Sequence, residues 1–144
     1  MSMDYWSTTG IGFCVNDEEA HLSIESLREL LVKSKSPVSN EPNFGTMDIE
    51  DFDEYGRENA INCSIGLSSL IADAISKLEE ITISAVSDEY DYEYVVFCLA
   101  YPWEFSDKEK SLTKDSTIAI LQKYASSLFD PGIEVDQFDI SNCG

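Results

Sequence analysis

Alternation between apolar and small or polar positions marks the first predicted strand, residues 8–15. One face of this strand carries Thr9, Ile11, Phe13 and Val15. A period of two is typical of a β-strand with one buried face. The other face carries Gly10 and Gly12, which indicates that a bulky ring or another element lies close against the backbone there.

Three further segments favour strands. Residues 81–86 alternate in the same way, residues 92–101 are almost wholly apolar, aromatic or β-branched, and residues 133–140 form a last strand. Because only the short loop SDEYD separates the first two, they predict a hairpin whose second strand is central in the sheet. Pro102 ends that strand, since proline has no N–H to donate to a ladder.

Apolar residues that recur at steps of three and four predict the helices. The clearest amphipathic helix covers residues 67–78. Another begins after Ser23 and fades before Pro37, and a third begins at Thr113. Residues 47–58 place an apolar side chain at every third position, which predicts a short helix or turn anchored by one side.

The order of these elements combines a hairpin with pairs of helices. It predicts an α+β fold, with a mainly antiparallel sheet of about four strands and two or three helices packed on one face.

With 144 residues, of which 43% are hydrophobic, the chain is expected to form a single domain, residues 1–144. The predicted core comprises Leu70, Ile71, Ile75, Val96, Phe97, Leu99 and Leu121. We also expect Trp6 and Trp103 in the core or at its edge, and Cys14 and Cys98 as buried, reduced thiols.

The charge balance restricts the possible partners. The chain has 28 Asp and Glu residues against 9 Lys and Arg, a formal net charge of -19. Contacts to phosphate come from Lys and Arg, so direct binding to nucleic acid or to a membrane is not expected. A basic surface on another protein is the natural complement. No run approaches the roughly 20 apolar residues that span a bilayer, and no secretory signal pattern opens the sequence, so we expect a cytoplasmic protein.

Two acidic clusters carry the candidate partner-binding residues. The first lies within residues 48–58 and the second in the hairpin loop, and no Lys or Arg occurs between Lys77 and Lys108. Tyrosine beside carboxylates suits an interface, because tyrosine supplies buried contact area while carboxylates steer association. The candidate residues are Asp48, Glu50, Asp51, Asp53, Glu54, Tyr55, Asp88, Glu89, Tyr90 and Asp91. They indicate a non-enzymatic binding protein whose carboxylates occupy a basic groove as phosphates would.

Catalytic chemistry has less support in the sequence. The single histidine, His21, is interpreted as a surface residue near a helix start, because no residue with catalytic spacing accompanies it. Asp51 and Asp53 echo the opening of a calcium-binding loop, but Tyr55 stands where that loop needs a short oxygen-bearing side chain. We therefore predict no catalytic residue, no metal and no cofactor. Two alternatives stay open: a small metal-dependent or hydrolytic enzyme that uses a carboxylate cluster, and an accessory or assembly protein.

Several segments resemble a family of small uncharacterised proteins found in phages and prophages of low-GC Gram-positive bacteria. They are residues 5–13 (YWSTTGIGF), 66–73 (GLSSLIAD), 101–104 (YPWE) and 107–113 (DKEKSLT). No motif among them has a known chemical role, so no functional residue is carried over. The resemblance implies a mobile-element setting in the host cell cytoplasm, where small acidic proteins often bind and block a host nucleic-acid enzyme.

Overall fold

The computed structural model describes residues 5–16, 21–59, 66–88, 90–99, 102–129 and 133–143 of the chain. The strands and helices follow one another as β1 (Tyr5–Cys14), α1 (Ile24–Lys33), α2 (Ile49–Asn59), α3 (Gly66–Glu79), β2 (Ser84–Ser87), β3 (Glu93–Cys98), α4 (Asp107–Lys110), α5 (Lys114–Leu128) and β4 (Asp136–Cys143). Short 3-10 turns occur at Pro37–Asn40, Phe44–Thr46 and Pro102–Glu104.

The four strands form one antiparallel sheet in the order β2-β3-β1-β4. β1 pairs with β3 on one side and with β4 on the other. β2 and β3 form the predicted hairpin, in which Ala85 lies opposite Val95. The predicted α+β class and the antiparallel sheet of four strands are therefore confirmed, and β3 is an interior strand as expected.

The helices cover the sheet face that carries Ile11 and Phe13. α5 packs against β1, α3 packs against β2 and β3, and α1 and α2 pack on α3. Cross-strand partners share a face of the sheet, so Val95 and Phe97 of β3 join Ile11 and Phe13 in the core. The ring of Phe13 also meets that of Phe129, just after α5, edge to face at a centroid distance of 6.0 Å. One hydrophobic cluster therefore joins the sheet to the helices.

The sheet curves strongly, so that its two outer strands, β2 and β4, approach each other on the face opposite the helices. β2 and β4 are three strand spacings apart, about 14 Å in a flat sheet, yet Cα atoms of the two strands approach within 8 Å. The sheet is therefore strongly curled, and at Gly12 a Cβ would stand 1.9 Å from a backbone carbonyl oxygen of β3. Val96 and Ile140 are buried on this face, outside the main hydrophobic cluster. The rings of Tyr94 and Phe138, 5.2 Å apart, lie on the same face as the glycines, but the atoms nearest a Cβ at Gly10 would be those of the Val96 side chain on the neighbouring strand β3.

The helix starts agree with the sequence. Ser23 Oγ accepts the N–H of Ser26 at 3.3 Å to begin α1, and Thr113 Oγ1 accepts the N–H of Ser116 at 3.0 Å to begin α5. α2 is the short helix predicted at residues 47–58. The part of the chain that the structure describes has five α-helices, more than the predicted two or three. Four of the five correspond to the helical patterns after Ser23, at residues 47–58, at residues 67–78 and from Thr113, and the fifth, α4, is a single turn that is too short to show a periodic pattern.

Some side chains differ from their predicted burial. Leu70 and Leu99 are half-buried against the core, whereas the other predicted core residues are buried: Ile71, Ile75, Val96, Phe97 and Leu121. Cys14 and Cys98 are not joined in a disulfide, but they are half-buried and not buried, because they lie on the face of the sheet away from the helices.

The prediction for Trp103 is wrong. Its side chain is 72% exposed in the 3-10 turn that follows β3. Phe105 packs on the core in its place, with its ring 5.1 Å from that of Phe97. The side chain of Trp6 lies outside the described part of the structure.

Candidate functional site

The first acids of the α2 cluster begin the helix. Asp48 Oδ1 accepts the N–H of Asp51 at 2.8 Å, and Asp51 Oδ2 accepts the N–H of Asp48 at 3.1 Å. This reciprocal arrangement satisfies two N–H groups in the way a capping box does. Two predicted partner-binding carboxylates therefore stabilise α2, while both residues stay exposed.

Asp53 connects α2 to the start of α3. Its Oδ1 accepts the N–H of Leu67 at 3.0 Å, and its Oδ2 lies 2.9 Å from Nε of Arg57. Asp53 raises the pKa of Arg57, first by this hydrogen bond and then by its charge, and the charge of Glu93 on β3 adds to the effect. Carboxylates from a helix and from a strand therefore act on the same guanidinium.

Asp88 shapes the hairpin loop. Its Oδ1 accepts the N–H groups of Tyr90 at 2.9 Å and Tyr92 at 3.0 Å, and its Oδ2 accepts the hydroxyl of Tyr94 at 3.2 Å. Burial, and then the neighbouring charge of Asp88, raise the pKa of Tyr94 to about 12. Asp91 adopts a positive φ of 65°, a backbone conformation that aspartate tolerates in tight turns such as this hairpin loop. Asp88 is thus chiefly a turn residue.

Asn16 ties the hairpin to the end of β1. Its Nδ2 donates to the carbonyl oxygen of Asp91 at 2.9 Å, and its Oδ1 accepts the N–H of Glu93 at 2.8 Å. The carboxylate of Glu93 in turn accepts the hydroxyl of Ser68, in the first turn of α3, at 2.7 Å. These bonds hold the base of the hairpin against the start of α3.

A groove of about 490 Å³ opens where these elements meet. It is lined by Val15, Asn16, His21, Leu22, Ile49, Glu50, Asp53, Leu67 and Glu93. Three carboxylates, Glu50, Asp53 and Glu93, reach this groove from α2 and β3, and none of its described lining residues is Lys or Arg. The two acidic regions of the sequence therefore approach one concave surface.

The predicted binding residues differ in how free they are to meet a partner. The side chains of Glu50 and Glu54 are exposed and form no hydrogen bond or ion pair with another described residue. Tyr90 is 75% exposed at the hairpin tip. Tyr55 instead packs half-buried against the core, where burial and then the charge of Glu41 raise its pKa. Glu89 lies outside the described residues.

The structure brings only Glu50 and Asp53 of the predicted residues into the groove lining and adds others that the sequence reasoning did not select. Glu93 is the most important addition. Counting by two from the core residue Val95 places Glu93 on the helix-facing side of β3, a signal available in the sequence. Ile49 was expected to anchor α2, but it is 38% exposed and faces the groove.

Three general findings complete the description of the site. Among the described residues, no three His, Cys, Asp or Glu side chains are grouped as ligands for a metal ion. No helix in the described ranges is long and apolar enough to cross a bilayer. Models of protein families, curated proteins and solved structures contain no match to this chain.

Proposed function

We propose that this protein is a non-enzymatic acidic binding protein that docks on a basic surface of another protein. In the phage setting implied by the sequence resemblance, the partner is a nucleic-acid enzyme of the host, such as a defence nuclease, and the carboxylates stand in for phosphates. The observation that supports this most is the groove, whose lining holds Glu50, Asp53 and Glu93 and no described Lys or Arg, so that Arg57, which pairs with Asp53, offsets only part of their charge.

Electrostatic steering is the main physical argument. Helix α2 carries five carboxylates against the single guanidinium of Arg57, and the chain as a whole stands at -19. Surface charges interact over about 8 to 10 Å at physiological ionic strength, so neighbouring carboxylates act together on a basic partner. Such a field raises the rate of association and disfavours acidic competitors.

The enzymatic alternative receives less support. Its carboxylates would have to converge on a cation or a reacting atom. In the groove, however, Asp53 is bonded to Leu67 and Arg57, and Glu93 is bonded to Ser68. These contacts are those of residues that hold elements together.

The test is capture of a partner from host lysate, followed by measurement of its Kd for matched variants. Glu50→Gln combined with Glu54→Gln removes two exposed charges beside the groove and spares the capping acids. Glu29→Gln combined with Glu134→Gln removes two exposed charges elsewhere. Exposed charge pairs are worth about 0.2 to 1 kcal/mol each, so the first variant is expected to weaken binding by about tenfold. Equal Kd values for the two variants would contradict the proposal.

A further inference from the structure

We infer that the groove binds a linear basic segment of the partner in which one aliphatic or aromatic side chain is flanked by Lys or Arg. This inference rests on the proposed function and goes beyond it. It names the chemistry of the bound segment and the residues that receive it.

Four apolar residues contribute to the groove lining. Val15 and Leu67 are buried there, Leu22 is half-buried, and Ile49 at the start of α2 is 38% exposed. An aliphatic side chain that faces a concave surface rather than the core leaves apolar area in water, and covering this area favours binding. The groove can therefore bind one apolar side chain of a partner.

The carboxylates of the groove lining are partly fixed by hydrogen bonds. The N–H of Leu67 and the guanidinium of Arg57 hold Asp53, and the hydroxyl of Ser68 holds Glu93. Asp53 already pairs with Arg57, so Glu93 and Glu50 are the groove carboxylates that remain to meet a cation. Because Glu93 is already ordered, little conformational entropy is lost when a cation meets it. Glu50 is exposed and is available for a direct ion pair. Basic side chains on either side of an apolar anchor would meet the carboxylates of α2 and β3.

Charge and size both select this occupant. A second copy of the chain also carries -19, so pairing two copies through this groove would bring like charges together. Nucleic acid and anionic lipid are repelled for the same reason. A volume of about 490 Å³ lies within the range of about 300 to 1,000 Å³ of sites that take small ligands. A groove of this volume can hold a few side chains of an extended peptide segment.

The inference is tested with two fluorescent synthetic peptides titrated against the full chain by anisotropy. Both have the same flanking Lys and Arg residues, but one has leucine at the centre and the other has serine. Since burying a leucine side chain is favourable and burying a serine side chain is not, the leucine peptide is expected to bind at least about tenfold more tightly. Ile49→Ser should reduce this preference severalfold. Val32→Ser is the matched control, because Val32 is an aliphatic residue 56% exposed on α1, outside the groove lining.

A second variant keeps the test decisive if Ile49→Ser lowers the thermal midpoint. Glu50→Gln leaves the apolar lining residues unchanged, so it should weaken the binding of both peptides by the same factor and preserve the ratio between them. Equal binding of the two peptides, or no binding of either, would overturn the inference. The proposed function would still stand if the captured partner lost affinity with Glu50→Gln and Glu54→Gln, and it would fail separately if the partner did not.

Discussion

At the residue scale, the carboxylates of this protein divide into those that hold the fold and those that face solvent. Glu109 is the clearest of the first kind, because it is buried and accepts the N–H groups of Ser106 and Thr82, both at 2.8 Å. Burial alone would raise its pKa, but these hydrogen bonds outweigh burial, and the net effect lowers the pKa. Some of the carboxylates of this acidic protein therefore serve as hydrogen-bond acceptors inside the fold.

The lowered pKa of Glu109 gives a prediction with a definite sign. A carboxyl whose pKa falls on folding adds stability above its ordinary pKa, and this stability is lost as the pH falls through the folded value. Glu109→Gln should therefore lower the free energy of unfolding at neutral pH by about 1.5 to 3 kcal/mol. Denaturant titrations at several pH values measure the difference in the free energy of unfolding between Glu109→Gln and the wild type. This difference should shrink as the pH falls below the usual pKa range of glutamate. Glu104→Gln, at an exposed position, is the control, and a pH-independent difference would contradict the assignment.

A second prediction at this scale concerns the core. Phe97 is 3% exposed on the interior strand β3, and its ring packs against that of Phe105. Phe97→Ala should lower the free energy of unfolding by about 3 to 5 kcal/mol, because it removes a buried ring and leaves a cavity. Chemical denaturation measures this directly. A loss under about 1 kcal/mol would show that the ring is not a core residue.

At the element scale, the approach of α2 to α3 depends on two glycines. A Cβ on Gly56 would stand 2.1 Å from the carbonyl oxygen of Gly66, and a Cβ on Gly66 would stand 2.0 Å from Asp53 Oδ1. One face of α2 is therefore fixed against the start of α3. The exposed acids of α2 keep their position beside the groove through this contact.

This packing reverses the usual effect of replacing glycine in a helix. Alanine normally stabilises a helix interior by about 1 kcal/mol relative to glycine. Gly56→Ala should instead lower the free energy of unfolding by about 1 to 3 kcal/mol, because the methyl group meets backbone that cannot move aside. Gly45→Ala is the matched control, since nothing lies within 4 Å of its Cβ position. A thermal midpoint for Gly56→Ala at or above that of the wild type would disprove the close approach.

The elements were predictable where a periodic pattern was long enough. The amphipathic stripe at residues 67–78 became α3, and the caps at Ser23 and Thr113 start α1 and α5. α4 has too few residues for a pattern. The bounds of the hairpin strands depend on backbone pairing, which side-chain pattern does not encode: β2 begins at Ser84 within the predicted 81–86, and β3 covers Glu93–Cys98 within the predicted 92–101.

The groove was much harder to foresee than the elements. Its walls come from the end of β1, the start of α2, the start of α3 and the start of β3, which are far apart in sequence. Local acidity identified Glu50 and Asp53, but it also selected Asp48 and Asp88, whose hydrogen bonds serve a helix start and a turn. Asp53 also accepts a backbone N–H, that of Leu67, although it lines the groove. Which carboxylates reach the groove and which accept backbone N–H groups is decided only when the chain folds.

At the scale of the whole molecule, net charge is expected to affect stability as well as binding. A chain at -19 repels itself, and salt screens this repulsion. The thermal midpoint should therefore rise as sodium chloride is increased from about 20 to about 300 mM. The double variant with Glu50→Gln and Glu54→Gln should start from an equal or higher midpoint and rise less. A midpoint that falls with salt would mean that attractive ion pairs, such as Lys123 with Glu79, outweigh the repulsion.

The central claim, that groove-side carboxylates steer this protein onto a basic partner, is tested most directly by the association rate constant. Stopped-flow or surface measurements with the captured partner at several salt concentrations separate association from dissociation. For the wild-type chain, association should slow steeply between about 50 and 500 mM salt while dissociation changes little. With Glu50→Gln and Glu54→Gln, association should be slower at low salt and its salt dependence shallower, whereas Glu29→Gln with Glu134→Gln should behave as the wild type. The account would be contradicted if the association rate constant changed neither with salt concentration nor in the variant with Glu50→Gln and Glu54→Gln.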